Sequence, residues 1–129
     1  IRQGYVAIDF YDGSILYDAK SARTLICDID FYIRTPCTNT MGRMWGSSRF
    51  MSPEEFMLGA VIDEVTNVYA MGATAFVLLA DGNRSPEAWP LGSARYAVVR
   101  KAVSEDRNDR QQSIEQLITE WKRAKEEQV

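Results

Sequence analysis

The chain has no histidine. That removes the commonest general base, so any proton transfer falls to a carboxylate, lysine, tyrosine or cysteine. Cysteine is scarce too: Cys27 and Cys37 are the only two among 129 residues. Without a second cysteine cluster or a histidine nothing supports a zinc site, and two thiols suit a reducing, cytoplasmic setting. An excess of one charge is also lacking. Fifteen lysines and arginines stand against 18 acidic residues, a net of −3, with both signs mixed along the chain. Such a balance gives no footprint for nucleic acid or for an anionic membrane. No apolar run reaches the roughly 18 residues of a membrane span, and no signal peptide is visible.

What is present suits one folded domain. Hydrophobic residues make up 46% of the chain and charged residues 26%, which fits a compact globule rather than a disordered segment. The chain begins at Ile1 with no lead-in to its first strand-like stretch, which reads as a fragment. Tyr5 to Phe10 is β-prone, Asp12-Gly13 marks a turn, and Ser14 to Tyr17 is a short apolar strand. Asp18 to Ala22 turns the chain again and Thr24 to Cys27 resumes strand character, so a hairpin is expected. From Tyr32 to Arg49 periodicity is lost, and this polar stretch reads as one long loop.

Helices are expected after that loop. Ser52-Pro53-Glu54-Glu55 has the form of a helix start, with a cap, a proline at the first position and a glutamate three residues on. Thr66 to Ala80 is apolar almost all round, which predicts a buried helix ended by Gly82. Ser93 caps a helix running through Val103. Ser113 caps the last, with Gln116 closing a capping box and Ile114, Leu117, Ile118 and Trp121 forming its apolar stripe. The fold class is therefore α+β, mainly helical, with a small hairpin region first.

Three acidic stations carry the candidate chemistry. Asp9 lies in Ala7-Ile8-Asp9-Phe10-Tyr11-Asp12-Gly13-Ser14-Ile15-Leu16, where the alternative is an aspartate that merely starts a turn. Asp28-Ile29-Asp30 follows an apolar strand, where one carboxylate is either a metal ligand or a turn cap. The third is Gly46-Ser47-Ser48-Arg49-Phe50-Met51-Ser52-Pro53-Glu54, otherwise a loop entering a capped helix.

In order and spacing these stations resemble the C-terminal lobe of a bacterial-type serine/threonine protein kinase, divergent in detail. Asp9 to Leu16 is similar to the catalytic loop, with Ser14 where the family has asparagine. The Asp28 region resembles the Asp-Phe-Gly station, and Met51-Ser52-Pro53-Glu54 the Ala/Ser-Pro-Glu motif. Asn67-Val68-Tyr69-Ala70-Met71-Gly72 resembles the start of the family's central helix. Glu105 to Arg110 is similar to its closing arginine segment. The resemblance covers the whole chain, 1–129, with a catalytic loop at 7–16, a metal-site loop at 27–32, an activation segment at 32–54 and a helical subdomain at 52–129. On this resemblance the N-terminal lobe is expected to be missing from these residues.

The resemblance implies an ATP- and Mg2+-dependent phosphotransferase. Asp9 would orient and deprotonate the acceptor hydroxyl, and Ser14 with Asp28 or Asp30 would hold the metal, Asp28 being favoured by register. Ser47 would shape the substrate shelf and hydrogen-bond Asp9, Arg110 would pair with Glu54, and Asn67 would stand for the aspartate bracing the catalytic loop. The expected partner is a protein with a serine or threonine acceptor. A small-molecule hydroxyl, of the aminoglycoside or choline kinase kind, is the alternative, and a non-catalytic pseudokinase module is another. Ala7-Ile8 replaces the family's His-Arg, so no activating phosphorylation is expected there. Tyr11 replaces a lysine, and the glycine after the metal aspartate is lost. With the glycine-rich loop and anchoring lysine absent, the chain alone is expected to bind ATP weakly or not at all. Its lobe-facing surface should be apolar and exposed, a place for self-association.

Overall fold

The computed structural model describes residues 4–27 and 32–127. Its helices begin where the sequence supplies partners for the open N–H groups of a first turn. Helix α1 spans Glu64–Ala80. Asp63 Oδ1 accepts from Val65 N at 3.0 Å, and Thr66 Oγ1 accepts from Asp63 N at 3.2 Å. This reciprocal cap draws Glu64 and Val65 into the helix, so α1 starts earlier than its apolar run suggests. At the other end Asp81 turns left-handed and Gly82 N donates to Phe76 O at 2.9 Å. The stop therefore falls at the expected glycine.

Helix α2 spans Ser93–Ala102. Its cap is Gly92, not Ser93, because the cap position has φ 85, which glycine adopts without strain. Helix α3 spans Ile114–Glu127. Ser113 Oγ accepts from Gln116 N at 3.0 Å, as a cap should. The returning bond goes elsewhere: Gln116 Oε1 accepts from Gln112 N at 2.9 Å, one residue short of the cap.

Helix α1 is the axis on which the rest packs. A Cβ placed on Gly72 would lie 2.8 Å from Ala102 Cβ and 2.9 Å from Val103 Cγ1, so α1 and α2 touch through a position only glycine can fill. Phe50, Tyr69, Phe76, Trp89 and Val99 form one apolar cluster; Val68, Val98, Leu117 and Ala124 form another under α3. The rings of Phe76 and Trp89 meet edge to face at 5.5 Å, those of Trp89 and Trp121 at 6.3 Å. Burial of α1 is not continuous. Leu78 is 60% exposed, and with Leu79 and Ile118 it lines an open apolar groove between α1 and α3. On its other side the last turn of α1 is covered, with Val77 and Ala80 packed against the first cluster.

The strands form three separate antiparallel ladders. β1 (Tyr5–Val6) pairs with β4 (Ile33–Arg34), β2 (Ile15–Asp18) with β3 (Arg23–Ile26), and β5 (Cys37–Thr38) with β6 (Val61–Ile62). The middle pair is the expected hairpin, and Asp18 ties its turn by accepting from Lys20 N and Ser21 Oγ. Residues 32–49 are not all loop, since they contribute β4 and β5. Pro53–Phe56 is one 3-10 turn rather than the first turn of a long helix, and β6 follows it inside the stretch expected to be helical. Val6, Ile8, Met44, Met51 and Ile62 fill a third cluster beneath the ladders. Both cysteines are free thiols. Among the described residues no helix is long and apolar enough to cross a membrane.

One ion pair joins these parts. The Arg110 side chain is fully buried, and its Nη1 and Nη2 donate to Glu54 Oε2 at 2.7 Å and Oε1 at 2.9 Å. Its remaining hydrogens go to Ser104 O, Glu105 O and Val65 O, so every guanidinium donor is used. Thr66 Oγ1 adds a bond to Glu54 Oε2 at 3.1 Å. Removing one partner of such a pair strands the other charge, at a cost of roughly 3–5 kcal/mol. Arg110→Ala is therefore expected to lower the melting temperature sharply, measured by circular dichroism. An unchanged melting temperature would contradict this role.

Candidate functional site

The Asp9 loop is built by alternation. Val6 and Ile8 point into the third cluster and are essentially fully buried, which turns the intervening Ala7 peptide toward α1. There Asn67 grips it twice: Asn67 Oδ1 accepts from Ala7 N at 2.8 Å, and Asn67 Nδ2 donates to Ala7 O at 2.9 Å. An amide can serve both sides of one peptide, whereas a carboxylate could only accept. Asparagine at this position thus braces the loop through backbone alone, without a histidine partner.

Two residues on, Asp9 has φ 60. That left-handed backbone is uncommon outside glycine, though aspartate tolerates it better than most, and it persists where surrounding structure imposes it. Asp9 is half-buried, and its carboxylate makes no hydrogen bond or ion pair among the described residues.

Ser14 closes the 3-10 turn Asp12–Ser14 that follows. It is buried, and its Oγ accepts from Tyr11 N at 3.4 Å. Cys27 N donates to Ser14 O at 2.8 Å, which fixes where the chain enters residues 28–31. Asp28 and Asp30 lie outside the described residues. Among the described ones no group of acidic, cysteine or histidine side chains could hold a metal.

The segment facing Asp9 comes from 46–55. Gly46 lies so close that a Cβ there would be 3.3 Å from Met51 Sδ and 3.6 Å from Asp9 Cα. Phe50 N then donates to Ser47 O at 3.0 Å, folding residues 47–50 into a turn. Ser47 makes no hydrogen bond to Asp9; the two segments approach through the Gly46 backbone instead. Ser52 starts the next turn, where Glu55 Oε2 accepts from Ser52 N at 2.7 Å and from Ser52 Oγ at 3.0 Å.

Asn39 has a role that the sequence did not suggest. Fully buried, it donates to Gly42 O and Glu54 O and accepts from Met41 N and Gly42 N. It thereby ties the start of this segment to its end. Its only sequence signal is an asparagine in a polar run, which does not separate it from any turn residue.

Charges on this segment are arranged in opposition. Burial alone would raise the Glu54 carboxyl, but the bonds and charge of Arg110 outweigh it and hold Glu54 below the usual carboxylate range. Burial dominates at Glu55, only partly offset by Ser52, and with the Glu54 charge beside it the carboxyl is pushed up to about 7.

With this geometry the class of fold is defined: α+β, a protein kinase-like C-terminal lobe, with its hairpin beside the Asp9 loop and its helices behind. The kinase PK-1 of Cydia pomonella granulovirus has a similar solved structure. The TM-score is 0.69 at 20% identity, covering 92% of this chain and 51% of that one. The chain thus spans about half the length of that kinase. The similarity is to a viral kinase and extends to the kinase-like fold, not to a bacterial-type subclass. No protein-family model matches the chain, and no curated protein matches it in sequence.

The raised Glu55 carboxyl has a pH consequence. Between the unfolded value near 4.5 and the folded value near 7 the folded chain holds a proton that the unfolded chain has lost. Stability from this group is thus complete at acid pH and is lost as pH rises through about 7, by at most ~3 kcal/mol. Glu55→Gln keeps an acceptor for Ser52 and cannot ionise. Relative to wild type it should gain in melting temperature between pH 5 and pH 8. Parallel curves across that range would refute the assignment.

Proposed function

We propose that the chain is the acceptor-side lobe of an ATP- and Mg2+-dependent phosphotransferase acting on serine or threonine hydroxyls of proteins. The observation that carries this reading is Asp9: a carboxylate without a partner among the described residues, in a left-handed backbone beside the Asn67 clamp, opposite the Gly46 segment. Transfer of a phosphoryl group asks a protein mainly for positioning and charge. Asp9 would accept a hydrogen bond from the acceptor hydroxyl, aim its oxygen at the terminal phosphorus and take its proton as the bond forms. Residues 46–50 would present the acceptor chain, with Ser47 on its shelf. Bound Mg2+ would neutralise charge on the phosphates, and Asp28 or Asp30 would be its protein ligand. No step is assigned to Ser14.

The exposed hairpin agrees with a second lobe that holds the nucleotide. Leu16, Tyr17, Leu25 and Ile26 all lie on β2 and β3 and are each more than half exposed. Leu16 and Leu25 lie opposite each other on one face, Tyr17 and Ile26 on the other, and such exposed apolar groups would suit contact with the N-terminal lobe in the intact enzyme, or self-association without it. A binding module without catalysis is the competing reading. It is favoured by Ser14, since the position that the kinase resemblance makes a metal ligand is buried and committed to its own turn.

Transfer of labelled phosphate from ATP to a generic protein acceptor by the full-length protein separates these readings. Wild type should transfer, and Asp9→Asn should lose about 10²-fold or more in rate with its melting temperature kept. No transfer by wild type, or equal transfer by both, would defeat the proposal. Transfer to an amino-sugar or choline but not to protein would replace the substrate class.

A further inference from the structure

Two arginines set into this fold are neutralised by carboxylates. Arg110 is paired with Glu54, and Arg107 with Asp63 and Glu54. Arg49 and Arg84 are different. They are 35 positions apart yet face one small pocket at the end of α1, lined also by Ala73, Phe76, Val77 and Gly82. Neither makes an ion pair among the described residues.

Arg84 is fixed in place. Its guanidinium lies 5.5 Å from the Tyr69 ring centre and 5.9 Å from that of Phe76, and its Nη1 donates to Tyr69 Oη at 3.0 Å. Nη2 reaches Arg49 O at 3.4 Å, and Tyr96 Oη donates to Arg84 O at 2.6 Å. Arg49 closes the other side: its Nη2 lies 3.5 Å from where a Cβ of Gly82 would stand. Two cations thus line one pocket at the C-terminal end of α1, neither of them in an ion pair among the described residues. The free volume is about 90 Å³, close to three waters' share of liquid. That room suits a carboxylate or one phosphate group.

The position of this pocket gives it a purpose. Arg49 belongs to the turn of residues 47–50 that follows Gly46, the residue packed against Asp9. We propose that Arg49 and Arg84 receive an anionic side chain of the acceptor peptide, carboxylate or phosphate, while its hydroxyl residue lies at Asp9. Arginine forks match both anions in geometry. The proposal rests on the phosphotransferase reading for where the acceptor lies, but the binding it describes does not require transfer.

Fluorescence anisotropy on the chain tests it, with labelled peptides in which Glu, phosphoserine, Gln or Lys is stepped through the positions flanking one serine. At one position Glu or phosphoserine should bind about tenfold or more tighter than Gln, a preference weakened by salt. A larger gain from phosphoserine than from Glu identifies phosphate as the ligand; equal gains identify a carboxylate. Arg49→Gln should abolish the preference with the melting temperature unchanged, since Arg49 is exposed. Arg49→Glu should move it toward Lys at the same position, which removes dependence on Arg84 variants that disturb ring packing. No position favouring an anion over Gln, or a preference untouched in both Arg49 variants, would overturn the proposal. Asp9→Asn separates the two claims: it should retain the anion preference while losing transfer. Transfer by wild type without any anion preference would sink the pocket and leave the phosphotransferase reading standing.

Discussion

The bidentate contact between Glu54 and Arg110 is the constraint on which the rest of the structure depends. It joins three pieces of chain that share no secondary structure: the turn after Ser52, the start of α1, and the connection leading to α3. A buried ion pair is tolerable only when every donor and acceptor is answered, because desolvation of each charge costs several kcal/mol. Here the Arg110 guanidinium meets five acceptors and lies over the Tyr69 ring at 5.0 Å. Such complete pairing fixes one arrangement and leaves alternatives with a stranded charge.

From that anchor the geometry at Asp9 follows in short steps. Glu54 holds the turn that places Met51, and Met51 packs with Ile8, the neighbour of Asp9, in the third cluster. Asn67 rises from the helix whose first turn Arg110 also touches, and it grips the peptide of Ala7. Gly46 then closes against Asp9 from the other side. A left-handed non-glycine residue costs about 1–3 kcal/mol, so it needs surroundings that over-determine it. These three attachments supply them. Strain and a carboxylate without a partner among the described residues thus coincide at one position.

Features carried by local chemistry were legible in the sequence. Caps at Ser113 and the stop at Gly82 depend on single residues, and the β2–β3 hairpin depends on a turn between two apolar runs. The pairing of Glu54 with Arg110 was visible only through the order of several stations, since nothing local links positions 56 apart. β1 falls in the β-prone Tyr5 to Phe10 run, but two-residue strands such as β4 and β5 left no pattern, because alternation needs more length than they have. Ser52-Pro53-Glu54-Glu55 carries the chemistry of a helix start, yet tertiary bonds to Arg110 and Asn39 stop it after one 3-10 turn. The resemblance had given Asn67 a bracing role, but its two bonds to the Ala7 peptide, like the Arg49–Arg84 pocket, were not legible. Each is made by residues distant in sequence whose types are ordinary on their own.

The account claims that the Glu54–Arg110 contact sets the position of the Asp9 loop and of the segment facing it. Amide hydrogen exchange in Arg110→Lys tests this most directly, since lysine keeps the charge but loses the fork that answers both Glu54 oxygens. The account expects faster exchange together at Phe50 N, Met44 N and Ala7 N, far from the substitution in sequence. Faster exchange confined to residues near 104–112, with those three amides as protected as before, would contradict it.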